Sequence, residues 1–147
     1  MGDNCLESKM ADANYPMNPD CMDAYNAVKN PQGNAQFVIF KVENEHITVE
    51  NVGPADAPYS QFVSLLPPNE PRFGVYDYDY RNEEGYQRNK LLFIFWTPDT
   101  VASRMKMVYA TGVKGLIRRL QGIQKEVQAT DLSEVQASAI EASFRFA

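Results

Sequence analysis

Leu91-Leu92-Phe93-Ile94-Phe95-Trp96 runs directly into Thr97-Pro98-Asp99, and this junction decides the fold. An apolar, aromatic-rich run without alternation reads as a strand covered on both faces. Thr97 then suits an N-cap, Pro98 the first helical position and Asp99 the first turn, so a helix is predicted to start here. At about 100° per residue, Val101, Ala102, Met105, Val108 and Tyr109 share one face of it. The opposite face carries Ser103, Arg104, Met107, Ala110, Thr111 and Lys114, with Lys106 at its edge. Methionine among small residues and cations suits a helix laid against a partner, although a solvated face with one exposed methionine fits the same pattern.

Gly112 and Gly115 are expected to interrupt or bend this helix, Val113, Leu116, Ile117 and Leu120 to continue its apolar stripe, and Gly122 to end it. Glu126 to Thr130 is a short strand candidate. Asp131-Leu132-Ser133-Glu134 then has capping-box spacing for a C-terminal helix that turns Val135, Ala139 and Ile140 inward.

Upstream, Phe73 to Arg81 reads as a strand with Tyr76, Tyr78 and Tyr80 on one face and Val75, Asp77 and Asp79 on the other. Asn82-Glu83-Glu84-Gly85 turns it toward the opening run. Tyr59 to Leu66 suits a short helix closed by Pro67-Pro68. Phe37-Val38-Ile39-Phe40 is a second central strand, and Glu43-Asn44-Glu45 is a tight turn into an edge strand, His46 to Val52, broken by Gly53-Pro54. Asn18-Pro19-Asp20 repeats the cap pattern, predicting a helix to about Lys29 that buries Met22, Tyr25 and Val28 and ends at Pro31 and Gly33. The order gives an α/β (α+β) single domain. Its mixed, mostly antiparallel five-stranded sheet has helices on both faces, and its last strand enters by a helical crossover parallel to its predecessor. Residues 1–15 are expected to form a flexible N-terminal extension, and 16–147 the domain.

At 147 residues the chain can bury a substantial core without staples. No apolar run approaches the roughly 20 residues that span a bilayer. Met1 to Asn14 lacks a signal-peptide apolar region and carries acids, so a reduced cytoplasmic setting is expected. Cys5 and Cys21 form neither a disulfide framework nor a metal-ligand spacing. The net charge of −5 argues against general nucleic-acid binding, but it is unevenly spread. Between Tyr86 and Lys125, Arg88, Lys90, Arg104, Lys106, Lys114, Arg118, Arg119 and Lys125 face only Asp99, a segment of +7 that leaves −12 for the remainder. An acidic protein surface or anionic lipid headgroups would complement it, and a chance distribution on a solvated surface would also give it.

Catalytic constellations are absent. His46 is the one histidine and falls on an expected edge strand, and Cys21 lies within a predicted helix with no histidine near it in sequence. No glycine pattern resembles a phosphate-binding loop. Asp77 and Asp79 could share a proton or hold a divalent cation, but polar residues on a half-exposed strand are the commoner reason for such a pair. A binding module is favoured over an enzyme, with no cofactor or metal called for.

Several separate stretches then resemble the ADF/cofilin family in the right order: Arg88-Asn89-Lys90, Phe95-Trp96-Thr97-Pro98-Asp99-Thr100, Met105-Lys106-Met107-Val108-Tyr109-Ala110 and the run from Gly122 to Asp131. Leu66-Pro67 and Phe73 to Tyr80 agree, and the likeness covers about Met17 to Ile140. The resemblance implies the actin-depolymerising-factor homology fold. It implies binding to actin monomers and filaments of the actin cytoskeleton, with filament depolymerisation and severing, by a monomeric protein without chemistry. It places Met17, Arg104, Lys106, Met107, Thr111 and Lys114 in the actin site, Arg88, Lys90 and Arg145 in a filament site, and Lys114, Arg118 and Arg119 where phosphoinositides bind. A chiefly monomer-binding protein with weak severing and a peripheral phosphoinositide-binding protein are the alternatives. The chain departs from the family in carrying Ala13 at the position of the regulatory serine and Asn34 and Gln36 near often-basic positions. It also has an extra Tyr86 before the filament-side residues and one cation, Arg145, in a short C-terminal helix.

Overall fold

The computed structural model describes residues 15–145, so the expected extension lies outside the described residues apart from Tyr15. The helices among them are α1 (Pro19–Lys29), α2 (Tyr59–Ser64), α3 (Ser103–Arg119) and α4 (Ala137–Arg145). The strands are β1 (Ala35–Glu43), β2 (His46–Pro54), β3 (Arg72–Arg81), β4 (Gln87–Trp96) and β5 (Lys125–Ala129). They form one sheet in the order β2-β1-β3-β4-β5. Every neighbouring pair is antiparallel except β4–β5, which is parallel because α3 carries the chain back across the sheet.

The three interior strands, β1, β3 and β4, bury alternate side chains into two separate cores, which is why Leu91 to Trp96 shows no alternation. Val38, Phe40, Phe73, Val75, Phe93 and Phe95 pack under Cys21, Tyr25 and Val28 of α1 and Tyr109 and Leu116 of α3. Phe37, Ile39, Tyr76, Leu92, Ile94 and Trp96 pack on the other face with Phe62 of α2 and Ile140 and Phe144 of α4. Tyr76 and Tyr78 do share a face, as period 2 requires. The β1–β2 turn has positive φ at Asn44 (51°) and Glu45 (61°), the backbone that suits a two-residue hairpin.

Four local expectations change. The helix after β4 does not begin at Thr97. The Thr97 and Asp99 amides donate to the carbonyls of Ala129 and Thr130 at 2.9 and 3.3 Å, so the Thr-Pro-Asp segment continues the pairing with β5. The helix opens one turn later, where the Lys106 amide donates to the Ala102 carbonyl at 3.1 Å. Ala102 and Met105 are exposed rather than inward: Val101 is buried ahead of the helix, and full burial within α3 begins only at Tyr109. Neither Gly112 nor Gly115 interrupts α3: both are buried, and at Gly112 the Tyr15 ring fills the space that a Cβ would take. In α1, Cys21 takes the buried place expected of Met22, and its thiol donates to the Ile47 carbonyl at 3.3 Å.

The remaining boundaries shift modestly. Asp131 accepts from the Ser133 amide at 2.9 Å, but it opens a 3-10 turn, Leu132–Val135, and α4 starts after it. Glu134 reaches back to the Thr130 amide and hydroxyl, at 2.8 and 2.7 Å, rather than to the cap residue itself. Gly53-Pro54 closes β2 rather than breaking it: Gly53 is buried beneath the Phe37 ring, where any Cβ would lie 2.1 Å from a ring carbon.

Candidate interaction surface

Helix α3 lies on the sheet by Tyr109, Gly112, Gly115 and Leu116, leaving a strip of polar and apolar side chains outward. Met107 is 71% exposed and Met105 40%, with Arg104, Lys114 and Arg118 exposed beside them. Thr111 is half-buried, its hydroxyl donating to the Met107 carbonyl at 2.6 Å. Lys106 is also half-buried and points back along the helix, its Nζ 3.4 Å from the Asp99 carbonyl. Tyr109 holds the helix at its middle: its Oη accepts the Val42 amide at 2.9 Å.

The chain before α1 lies against the same helix. Met17 bridges to Ile47 of β2, with the Ile47 amide donating to Pro16 (2.8 Å) and the Asn18 amide to the Ile47 carbonyl (3.0 Å). Tyr15 donates its hydroxyl to the Val108 carbonyl at 2.9 Å, and burial followed by the Glu45 charge raises its pKa. Arg119 is half-buried and turns toward this segment. Its Nη1 donates to the Tyr15 carbonyl at 2.7 Å and its Nε to the Gly115 carbonyl at 3.1 Å. Burial lowers its pKa, against a smaller opposing effect of Cys21.

A second basic region lies at the far end of β4. Arg88 is exposed, and Lys90 sits 5.8 Å from the centre of the Phe144 ring, a cation–π contact that draws α4 toward the strand. The Tyr78 hydroxyl donates to Glu141 of α4 at 2.7 Å. Arg145 is the last residue of α4, and its side chain lies outside the described residues. A pocket of 260 Å³ between the β3–β4 turn and α4 has Arg81 and three acids, Glu83, Glu84 and Glu141, in its walls, a lining of net negative charge. Asp77 accepts from Asn89 at 3.0 Å. Among the described residues, no three His, Cys, Asp or Glu side chains are grouped to hold a metal ion, and no helix is long and apolar enough to cross a membrane.

Residues 14–145 match the family model described as cofilin/tropomyosin-type actin-binding protein. The chain belongs to that family. Among relatives of this cofilin-type chain, Actin-depolymerizing factor 12 of Arabidopsis thaliana is 44% identical over 73% of this chain and 78% of its own length. Cofilin of Yarrowia lipolytica is 37% identical over 92% of this chain and 90% of its own. The crystal structure of Streptomyces griseoflavus cofilin superposes with a TM-score of 0.79 at 34% identity, covering 86% of this chain and 94% of that one. Human coactosin-like protein, at 20% identity and a TM-score of 0.78, shares the fold.

The cofilin-type fold thus gathers the α3 residues and Met17 on adjoining elements, and puts Arg88, Lys90 and Arg145 on a separate end. Sequence reading missed Met105 and Tyr15 as parts of the first surface. Periodicity could not find Met105, since it sits on the apolar stripe one turn beyond where burial begins. Tyr15 carried no signal, because its contacts are with residues more than ninety positions away.

Proposed function

We propose that this protein binds monomeric and filamentous actin through the outward face of α3 and the Met17 segment. On this reading it promotes filament depolymerisation and severing, acting as a monomer in the cytoplasm, by binding rather than by catalysing a reaction. The single observation that carries the reading is the exposed strip of Arg104, Met107, Lys114 and Arg118 on a helix braced from behind by Tyr109. Exposed methionine flanked by cations offers an adaptable apolar centre with a charged rim for an acidic partner. The β4–α4 end, with Arg88, Lys90 and Arg145, would then meet a second subunit within the filament.

The Arg104→Ala, Lys106→Ala double variant tests this. Actin-monomer affinity is expected to fall by roughly a hundredfold with the far-UV spectrum and melting temperature retained. An unchanged affinity in the folded variant would remove the α3 face from the interface. A second reading, anionic phosphoinositide headgroups competing with actin, is supported by the exposed cations Lys114 and Arg118, whereas Arg119 is engaged by backbone carbonyls. On that reading, binding to vesicles containing phosphatidylinositol bisphosphate falls steeply with salt and is lost in Lys114→Ala, Arg118→Ala.

A further inference from the structure

We infer that Arg119 is a positioning residue, which together with Gly112 docks the N-terminal segment on α3 and so aligns the Met17 arm of the interface with the helix face. The inference rests on the actin-binding reading for its consequence, but its geometry stands on its own. Val108, Gly112, Gly115 and Arg119 recur at helical spacing and lie in one strip along α3, directly beside the strip of Arg104, Thr111 and Arg118. Val108, Gly112 and Arg119 touch or make room for Tyr15, and Gly115 braces Arg119. Val108 accepts the Tyr15 hydroxyl, Arg119 donates to the Tyr15 carbonyl, and Gly115 accepts from Arg119 and so aims its guanidinium. Gly112 lies under the ring: a Cβ there would sit 2.6 Å from Tyr15 Cδ2.

Two residues further on, the same strand of chain is stitched to β2 by Pro16, Met17 and Asn18 on either side of Ile47. The segment is therefore held at both ends, by α3 through Tyr15 and by β2 through Ile47. Without the α3 end, the β2 stitch would have to hold Met17 in register alone. Among the described residues, Arg119 Nη2 is also buried without a hydrogen-bond partner, so this half-buried side chain keeps one donor in a costly internal position. A residue serving an anionic headgroup would keep its guanidinium outside.

Two variants separate positioning from simple stabilisation. Arg119→Met keeps the aliphatic stem and removes the donor. Gly112→Ala keeps every charge, improves helix propensity and displaces the Tyr15 ring. Each is expected to weaken actin-monomer binding about tenfold, and to speed amide exchange at Ile47, whose N–H is bonded to Pro16. The two effects on affinity should not add, since both release the same segment. Arg119→Lys should restore part of the loss, and Arg119→Met should bind phosphatidylinositol bisphosphate vesicles as the unaltered chain does. Gly112→Ala should melt no lower than the unaltered protein. Unchanged Ile47 exchange or unchanged actin affinity in Arg119→Met would overturn the inference, as would loss of vesicle binding in that variant. Failure of the unaltered chain to bind actin would instead overturn the proposed function, while the Ile47 exchange would still report on the docking.

Discussion

Arg72 meets Glu50 through two parallel contacts, Nε to Oε1 at 2.8 Å and Nη2 to Oε2 at 3.0 Å, joining β3 to β2 across the intervening strand β1. Its third nitrogen reaches Glu70 at 3.2 Å and the Pro71 carbonyl at 2.7 Å. Burial is the largest influence and works to lower the Arg72 pKa, but the Glu50 hydrogen bond, the charges of Tyr109 and Glu50 and the Glu70 hydrogen bond together outweigh it, so the net shift is upward. Removing one partner strands the other charge. Arg72→Leu is expected to cost about 3 kcal/mol, and Glu50→Gln, which keeps an acceptor, about 1 kcal/mol. Urea denaturation followed by tryptophan fluorescence measures both, and equal costs would contradict the stranded-charge explanation.

Met107 should separate binding from stability more cleanly than any charge. Because it is 71% exposed, Met107→Ala should change stability by less than about 0.5 kcal/mol. Its affinity for actin monomers should fall about tenfold, read by fluorescence anisotropy of labelled actin.

The tether between the sheet and α4 predicts a selective loss on filaments. Tyr78→Phe removes the bond to Glu141 while leaving the ring against Phe144, at a cost of about 1 kcal/mol. Amide exchange in α4 should quicken, and filament co-sedimentation should weaken while monomer binding holds. Equal losses on monomer and filament would detach α4 from filament recognition.

Acid should loosen the turn before α4 only once the pH falls below the ordinary carboxylate range. The Ser133 hydroxyl and amide hold the Asp131 carboxyl below its ordinary pKa, and the Thr130 amide and hydroxyl do the same for Glu134. Both folded values lie below the unfolded ones, so their support is present above the ordinary carboxylate range and is lost as pH falls through the folded values. Amide shifts of Ser133 and Thr130 should titrate together at a pH below that of an ordinary carboxylate. Asp131→Asn should remove the Asp131 part of that step.

Asp79 shifts the other way. Burial, then the charges of Asp77 and Asp56, raise its pKa, so its ionised form is less comfortable in the folded state than in the unfolded chain. Stability linked to Asp79 therefore declines as pH rises from its unfolded value through its folded one. Asp79→Asn should raise stability near neutrality by up to about 0.5 kcal/mol, an effect limited by solvent screening and absent at low pH. Thermal melts at both pH values give the comparison.

What the sequence disclosed followed period and punctuation. Leu91 to Trp96 announced a doubly covered strand, and Asn44 the hairpin turn. The tyrosines of β3 announced their shared face, because each signal depends on neighbours within a few residues. Thr97-Pro98-Asp99 misled for the opposite reason: its amides pair with Ala129 and Thr130, which lie some thirty residues away, and a helix start loses to that pairing. The basic strip on α3 was readable as charge and exposure. Arg119 was not, since a cation in a basic run looks like its neighbours until Tyr15 is folded onto it.

Helix α3 is also the connection that delivers β5 to the edge of β4 in parallel register. Its 17 residues span about 25 Å at a rise of 1.5 Å each, and that length sets where Lys125 meets Leu92. An inserted or deleted residue would rotate everything beyond it by about 100° and slide β5 along its partner. The recognition helix is therefore free to change by exchange of side chains but not by change of length. Its outward face can diversify toward different partners only one substitution at a time, while the spacing that carries them stays constant.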